Sequence, residues 1–409
     1  MKTDYDLLII GGGMVGASLA CALAPTSLKI GLVERFPFKK TKQPAYDDRS
    51  IALAWGSMRI FQSMGMRDEL MNIVSPIQRI HISERGQFGA TRLDSREMEV
   101  DALGYVVESR ELGEILHRQL LQAENIELIC PADVQQIQVN EKQAVLTLER
   151  EGQPMQVSAS LVVAADGSQS SIRNLLEIPS TRRDYGQTAL ISNVSTSRHH
   201  QHVAYERFTD TGPLALLPMK DLQEEGQTVS RCSLVWTLRN DQVDEYMAMD
   251  DDVFLQKLQT RFGHRLGDFV RAGQRQCFPL KLVRTSEHIQ SRVALIGNAA
   301  HTIHPVAGQG YNLGIRDVAA LSEVLLSAVQ NGQDIGDISV LTQYAEWRKQ
   351  DHRRVIAFTD GLARVFSNPL FPVKVLRGAA LTLLDIIPPL KNALARRTMG
   401  LTGRRVNLP

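Results

Sequence analysis

The stretch Asp6-Leu7-Leu8-Ile9-Ile10-Gly11-Gly12-Gly13-Met14-Val15-Gly16 decides the fold. Residues 6–10 are apolar on both faces, as in a parallel strand covered on both sides. The spacing Gly11, Gly13, Gly16 fits G-x-G-x-x-G between that strand and a helix over 14–23. The first glycine permits a tight turn. The second lets the backbone approach a pyrophosphate, and the third lets helix and strand pack closely. The helix N-terminus, at Met14 and Val15, then offers free N–H groups to phosphates. A second strand over 29–33 ends at Glu34, followed by Arg35. An acid at this distance suits a ribose diol.

Similar apolar runs recur at 161–165 and 293–296. From about 185 to 283 the character changes to short alternating segments such as 214–217 and 232–236, broken by Gly, Pro and charge, which read as antiparallel strands. From about 361 the chain reads as helical with two proline breaks. The fold class expected is α/β: a Rossmann-type nucleotide-binding domain, an antiparallel β-sheet domain and a C-terminal helical segment.

At 409 residues the chain is long enough for two or three domains. Lys and Arg number 46 against 45 Asp and Glu, a net charge of +1, which excludes a strongly basic nucleic-acid binder. The four cysteines are far apart with no CxxC, which opposes a zinc ribbon, an iron–sulfur site or a disulfide scaffold and fits a reducing compartment. Residues 7–24 are nearly all apolar, yet Asp4, Asp6 and three glycines oppose a signal peptide. No run is long and apolar enough to span a bilayer. The reading is cytoplasmic. Residues 361–409 carry eight basic residues (Arg364, Lys374, Arg377, Lys391, Arg396, Arg397, Arg404, Arg405) against Asp385 alone. Two readings stand for them: a solvated helix face, or a surface meeting anionic lipid on the inner membrane.

Two further loops carry chemistry. Asp166-Gly167-Ser168 closes the strand at 161–165, with Ser170 and Arg173 following. After 293–296 come Gly297-Asn298-Ala299-Ala300-His301, His304-Pro305 and Gly308-Gln309-Gly310-Tyr311-Asn312-Leu313-Gly314, again a Gly-rich loop opening a helix. His301 and His304 have no carboxylate or cysteine partner at useful spacing, so no metal site is expected.

In this order and at these separations the motifs resemble the single-component FAD-dependent aromatic hydroxylases, the class of para-hydroxybenzoate hydroxylase, over residues 6–354. The resemblance implies FAD as cofactor and NAD(P)H as a transient co-substrate; no second G-x-G-x-x-G is present to hold it. It implies that Gly11, Gly13, Met14, Val15, Gly16, Glu34 and Arg35 hold the ADP part of FAD. Asp166 and Gly167 then serve both FAD and NAD(P)H. Asn298, Pro305, Gly308, Gln309, Gly310, Tyr311 and Asn312 line the ribityl chain and the ring. Arg49, within 48–53, matches an arginine near flavin and nucleotide, and Arg110 a residue on the FAD linker. The domains implied are a discontinuous FAD-binding domain (1–75, 100–183, 285–350), a substrate domain (76–99, 184–284) and the helical segment 351–409.

Within this family the closest likeness is to the ubiquinone-biosynthesis branch, carried by 48–53, 205–209, 212–219 and 304–317. Gly297-Asn298 stands where most of the family has Gly-Asp; Asn still bonds a hydroxyl but brings no charge. The reaction implied is ring hydroxylation of a polyprenylated phenol with O2. Oxygen adds at flavin C4a and the hydroperoxide delivers an electrophilic OH. The substrate implied is a 2-polyprenyl-6-methoxyphenol attacked at C1, with a sister hydroxylase acting at another carbon as the alternative. Other proteins of the pathway are possible partners. The loop 305–310 is expected to wall the reactive edge.

A group stabilising the phenolate is expected. Pro305, His304 and Arg207 are the weak catalytic candidates, beside His301 and Tyr185. Tyr205, Phe208 and Trp236 are candidates for an aromatic pocket or simply for core. Competing readings are a flavin oxidase, a halogenase, a prenyl reductase and an FAD-bound scaffold without activity.

Overall fold

The computed structural model describes residues 3–37, 49–367, 371–402 and 404; Asp48 of the 48–53 stretch and Arg405 lie outside them. The strand Tyr5–Ile10 runs parallel between Gln153–Ala164 and Ile30–Val33, and Ile126–Ile129 and Val293–Leu295 extend the sheet on either side. Its side chains alternate between two cores. Leu7 and Ile9 pack with Leu19 and Leu23 of the helix Met14–Leu23, Leu112 and Leu116 of Ser109–Gln122, and Leu321 and Leu325 of Gln309–Gln330. Leu8 and Ile10 pack with Val134, Leu146, Leu148 and Val157 of the antiparallel meander Asp133–Val139, Ala144–Arg150, Gln153–Ala164. Helices thus cover one face and a meander the other, which is why the run at 7–10 shows no polar side.

The second sheet has nine strands. Ser180–Thr196 pairs antiparallel with Arg231–Arg239 and Gln276–Thr285. Val203–Phe208 pairs antiparallel with Pro213–Pro218 and parallel with Arg79–Glu84. One face of this sheet buries Leu190, Leu214, Leu234 and Trp236 against Tyr246, Phe254, Leu258 and Phe262 of the helices Val243–Ala248 and Asp251–Phe262. The other face meets the first layer: Ala204 and Leu217 pack on Ile77 and Val106, and Arg231 forms a buried ion pair with Glu108 at the end of Gly104–Glu108.

The helical run expected from about residue 361 begins earlier, in the 30-residue helix Ile338–Ser367, because apolar residues keep helical spacing there and no proline intervenes. The end of this helix stacks the Phe366 ring on Phe208, and the next helix, Phe371–Ile386, also packs on the second sheet: Arg377 pairs with buried Glu84, and Thr91 Oγ1 donates to the Leu381 carbonyl at 2.8 Å.

Two glycines of the first motif are required by packing. Gly11 has φ +104°, and a Cβ there would lie 2.6 Å from the Ala165 carbonyl oxygen; a Cβ on Gly16 would lie 1.9 Å from the Gly11 oxygen. Overpacking of this kind costs about 1–3 kcal/mol. Gly16→Ala should therefore lower the urea midpoint of unfolding, and an unchanged midpoint would contradict this close approach.

Candidate active site

Four loops and the strand Ser50–Ala54 converge where the two Gly-rich helices begin. Gly297 and Gly314 both close on Val15: Cβ atoms there would lie 3.1 and 3.0 Å from its methyl groups. Gly11 meets Ala165 and Asp166, and Gly308, at φ +61°, meets Ala52. Tyr311 Oη lies 3.3 Å from Ser18 Oγ, tying the two helices together. The motifs, separated by hundreds of residues, therefore share one place.

The convergence fits FAD on the chain's own features. Neither helix N-terminus has a side-chain cap or an acid in its first turn, so its orphan N–H groups remain for a ligand. A Cβ on Gly13 or Gly310 would meet nothing within 4 Å, so these positions face open space. The Asp166 carboxylate caps the next helix through Oδ2, accepting from Ser171 N at 2.7 Å and Ser171 Oγ at 2.9 Å, while Oδ1 is buried and unpartnered among the described residues. A hydroxyl-bearing ligand would satisfy it. Glu34 is held at its post by N–H groups of Gly12 (2.7 Å) and Phe36 (2.8 Å); a carboxylate retains lone pairs for a diol. Asn298 is exposed in the Gly297–Ala299 turn.

Other predicted residues serve the frame. Asn312 is buried and spends all its capacity internally. Oδ1 accepts from Ala54 N and Ser57 Oγ, both at 2.7 Å, and Nδ2 donates to the Ala52 (2.8 Å) and Gly308 (2.6 Å) carbonyls. It locks Ser50–Ala54 against the Gly308 turn. Gln309 is buried and donates to the Thr398 carbonyl at 3.3 Å. Arg35 turns outward to Asp133 at 3.5 Å, and Arg110 to Glu114 at 2.9 Å. The Arg49 guanidinium lies 4.9 Å from the Phe278 ring centroid. Arg173, noted only as following its motif, is the link sequence missed: fully buried, it donates to the Ala299 (3.0 Å) and Ser168 (2.7 Å) carbonyls and so joins two motifs.

Among the catalytic candidates, Arg207 is not brought to the loops. It donates to the Phe262 carbonyl at 2.5 Å on the far face of the second sheet. Tyr205 and Trp236 also lie on that face, and Phe208 is spent on Phe366. They are core, not pocket. His304 is buried; Nδ1 accepts from Val306 N at 3.3 Å and Nε2 has no partner among the described residues. Its ring meets Tyr185 edge-on at 5.1 Å, and Tyr185 Oη donates to Asp360 at 3.1 Å. Pro305 begins the turn Val306–Gly308 that opens the second helix.

His301 does find a carboxylate, from a helix sixteen residues on. Asp317 Oδ2 lies 2.8 Å from His301 Nε2 and accepts from Gly297 N at 3.1 Å; Oδ1 lies 2.6 Å from His352 Nε2 and accepts from Arg348 Nε at 2.7 Å. Two histidines and an aspartate thus converge, as metal ligands do, but each Asp317 oxygen already has two partners, and Arg348 supplies the counter-charge a cation would. Burial alone would raise the Asp317 carboxyl; His352, Arg348 and His301 hold it well below its ordinary range. The cluster fixes the Gly297 loop.

Residues 4–359 match the FAD binding domain family, and the chain belongs to that family, as an FAD-dependent monooxygenase. It is 35% identical to the ubiquinone hydroxylase UbiL of Rhodospirillum rubrum over 97% of this chain and 89% of that one. It is 29% identical to the mitochondrial ubiquinone biosynthesis monooxygenase COQ6 of Homo sapiens over 95% and 91%. The crystal structure of p-nitrophenol 4-monooxygenase PnpA from Pseudomonas putida DLL-E4 superposes with a TM-score of 0.80 over 99% of this chain and 100% of that one; at 16% identity the likeness is one of fold.

Burial pushes His81, His200, His288 and His304 down to about 4, so all four are neutral in the folded protein. Unfolded histidine titrates near 6.5, so between about pH 6.5 and 4 the unfolded chain binds more protons and stability rises with pH. The melting temperature should fall as pH drops from 7 to 5, and His304→Gln should flatten that slope; an identical slope would show that His304 is charged in the fold.

Proposed function

We propose that this monooxygenase hydroxylates the ring of a polyprenylated phenol in ubiquinone biosynthesis, at C1 of a 2-polyprenyl-6-methoxyphenol. The observation that carries the pathway is near-full-length identity to a relative named ubiquinone hydroxylase. Bound FAD, reduced by NAD(P)H, supplies the activation of O2 and the transfer of one oxygen atom. The protein's part is to bind, orient and exclude water. The first helix N-terminus and Gly13 would receive the pyrophosphate, Glu34 the ribose, Asp166 a hydroxyl of the linker, and the second helix N-terminus the ribityl chain and ring. The turn at Pro305, braced by Asn312 and by the Asp317 cluster through Gly297, walls the space toward the second sheet. Cells lacking the protein should accumulate a prenylated phenol without the C1 oxygen, read by mass spectrometry of lipid extracts. A later intermediate would move the reaction to another ring carbon, and a normal quinone profile in cells without a redundant hydroxylase would remove the pathway. NAD(P)H consumption stimulated by a phenol separates this reading from a scaffold.

A prenyl tail stays in lipid or protein, because each buried CH2 stabilises by about 0.8 kcal/mol. Among the described residues no helix is long and apolar enough to cross a membrane. The basic segment is less free than its charge suggests: Arg377 is buried on Glu84, Lys391 pairs with Glu97, Arg404 with Glu323 and Arg364 with Asp360. The segment also presents apolar side chains outward. Leu376 (68% exposed), Leu383 and Ile386 (67%) recur at helical spacing on Phe371–Ile386, with Leu390 on the following helix Pro388–Thr398 and Phe88, 97% exposed, beside Gly378. We infer that this ridge rests in lipid. Burying one leucine-sized side chain stabilises by about 1.5–3 kcal/mol, so Leu376→Glu with Leu383→Glu and Ile386→Glu should cut sedimentation with vesicles by about a hundredfold or more, while 0.5 M salt (roughly a 4 Å screening length) should change it little. Retention of the triple variant on vesicles would contradict the contact.

A further inference from the structure

Among the described residues, the half-buried acid Glu206 has no hydrogen-bond or ion-pair partner. Glu206 sits on Val203–Phe208, directly opposite Ala215 on one side and Ile82 on the other. Strand alternation places it with Ala204 and Phe208 on the face turned away from the Asp251–Phe262 helix. Ala204 packs on Ile77 and Val106 of the first layer, and Phe208 on Phe366 and Leu381 of the C-terminal helices. Glu206 lies between those two seams and projects into the interval where the second sheet faces the first layer. Its carboxylate is half-buried and makes no hydrogen bond or ion pair with any described residue. The other buried charges of this face are spent: Glu84 with Arg377, and Glu108 with Arg231. Tyr205, Arg207 and His81 lie on the opposite face, where His81 meets the Tyr205 ring.

A carboxylate facing an apolar interval without a partner is costly. Burial pushes Glu206 up to about 7, with no neighbouring charge contributing. A carboxyl poised near working pH is the kind of group acid–base catalysis uses.

We propose that Glu206 is a catalytic residue of the hydroxylation, taking the proton of the substrate's phenolic O–H and later returning it. The inference rests on the hydroxylase reading above. The proton moves from the phenol oxygen to a Glu206 carboxylate oxygen as the ring carbon bonds the incoming OH. That carbon then loses its hydrogen as a proton, which passes through solvent to the departing second oxygen, aromaticity returns, and the Glu206 acid gives its proton back to the first oxygen. O2 supplies the oxygen atom, NAD(P)H through FAD supplies the two electrons, and the second oxygen leaves as water. Arg207, the neighbour that sequence singled out, faces the wrong side of the strand for this task.

The test uses FAD-loaded full-length protein and the variants Glu206→Gln and Glu206→Leu, with flavin content and melting temperature as controls of folding. For a phenol that is un-ionised at working pH, Glu206→Gln should lower the hydroxylation rate by about a hundredfold or more and divert NAD(P)H electrons to hydrogen peroxide. The wild-type pH profile should show a limb near pH 7 that the variant lacks. A nitrophenol already ionised at working pH should be turned over by Glu206→Gln within about threefold of wild type, which a merely structural role would not give. A limb that persists in both variants, or equal losses with ionised and un-ionised phenols, would overturn the proposal. If wild type consumes no NAD(P)H with any phenol, the hydroxylase reading fails first and the proposal falls with it.

Discussion

Everything at this site depends on two helices starting at the same point. An α-helix N-terminus leaves four N–H groups without partners, and two such ends brought together make a place that only an electron-rich ligand satisfies. The approach is steric before it is electrostatic. Val15 touches both Gly297 and Gly314, and Gly16 lies under the Gly11 carbonyl. Side chains at those glycines would hold the two ends apart, whatever their charge.

A second constraint keeps the ends in place. Asp317, wholly buried on the second helix, holds the Gly297 N–H from below, while Asn312, one turn from the helix start, ties the Gly308 carbonyl to the Ser50–Ala54 strand. Arg173 closes the third side by joining the loops at Ser168 and Ala299. These three side chains turn loops into a rigid rim without needing to touch the ligand. Removing one partner of such a buried network leaves others unsatisfied, at about 1–3 kcal/mol for each neutral group.

The fold was legible because its determinants are local. A two-sided apolar strand, a glycine spacing and a following helix lie within eighteen residues of one another, and the structure has its strand at Tyr5–Ile10 and its helix at Met14–Leu23. The site was legible only as a set of motifs. That Asp317 and His352 reach His301, or that Arg173 bridges two motifs, depends on tertiary approach over 16 to 126 residues, which no spacing rule contains. The environment of Arg207 was not legible for a strand-specific reason: successive side chains face opposite sides, and the sequence between 203 and 208 does not say that Arg207 lies on the side that meets Phe262. The composition of the tail did not show its pairing: of its eight basic residues, Arg364, Arg377, Lys391 and Arg404 are answered by acids.

The central claim, that this frame directs one oxygen atom of O2 onto a prenylated ring, is tested most directly by isotope. FAD-loaded protein would be given NAD(P)H, 18O2 and 2-polyprenyl-6-methoxyphenol in lipid vesicles, and the product read by mass spectrometry. The account predicts a ring hydroxyl carrying one 18O atom, formed in near-equal amount to the NAD(P)H consumed. Unlabelled product, or NAD(P)H consumed with only hydrogen peroxide formed, would contradict it.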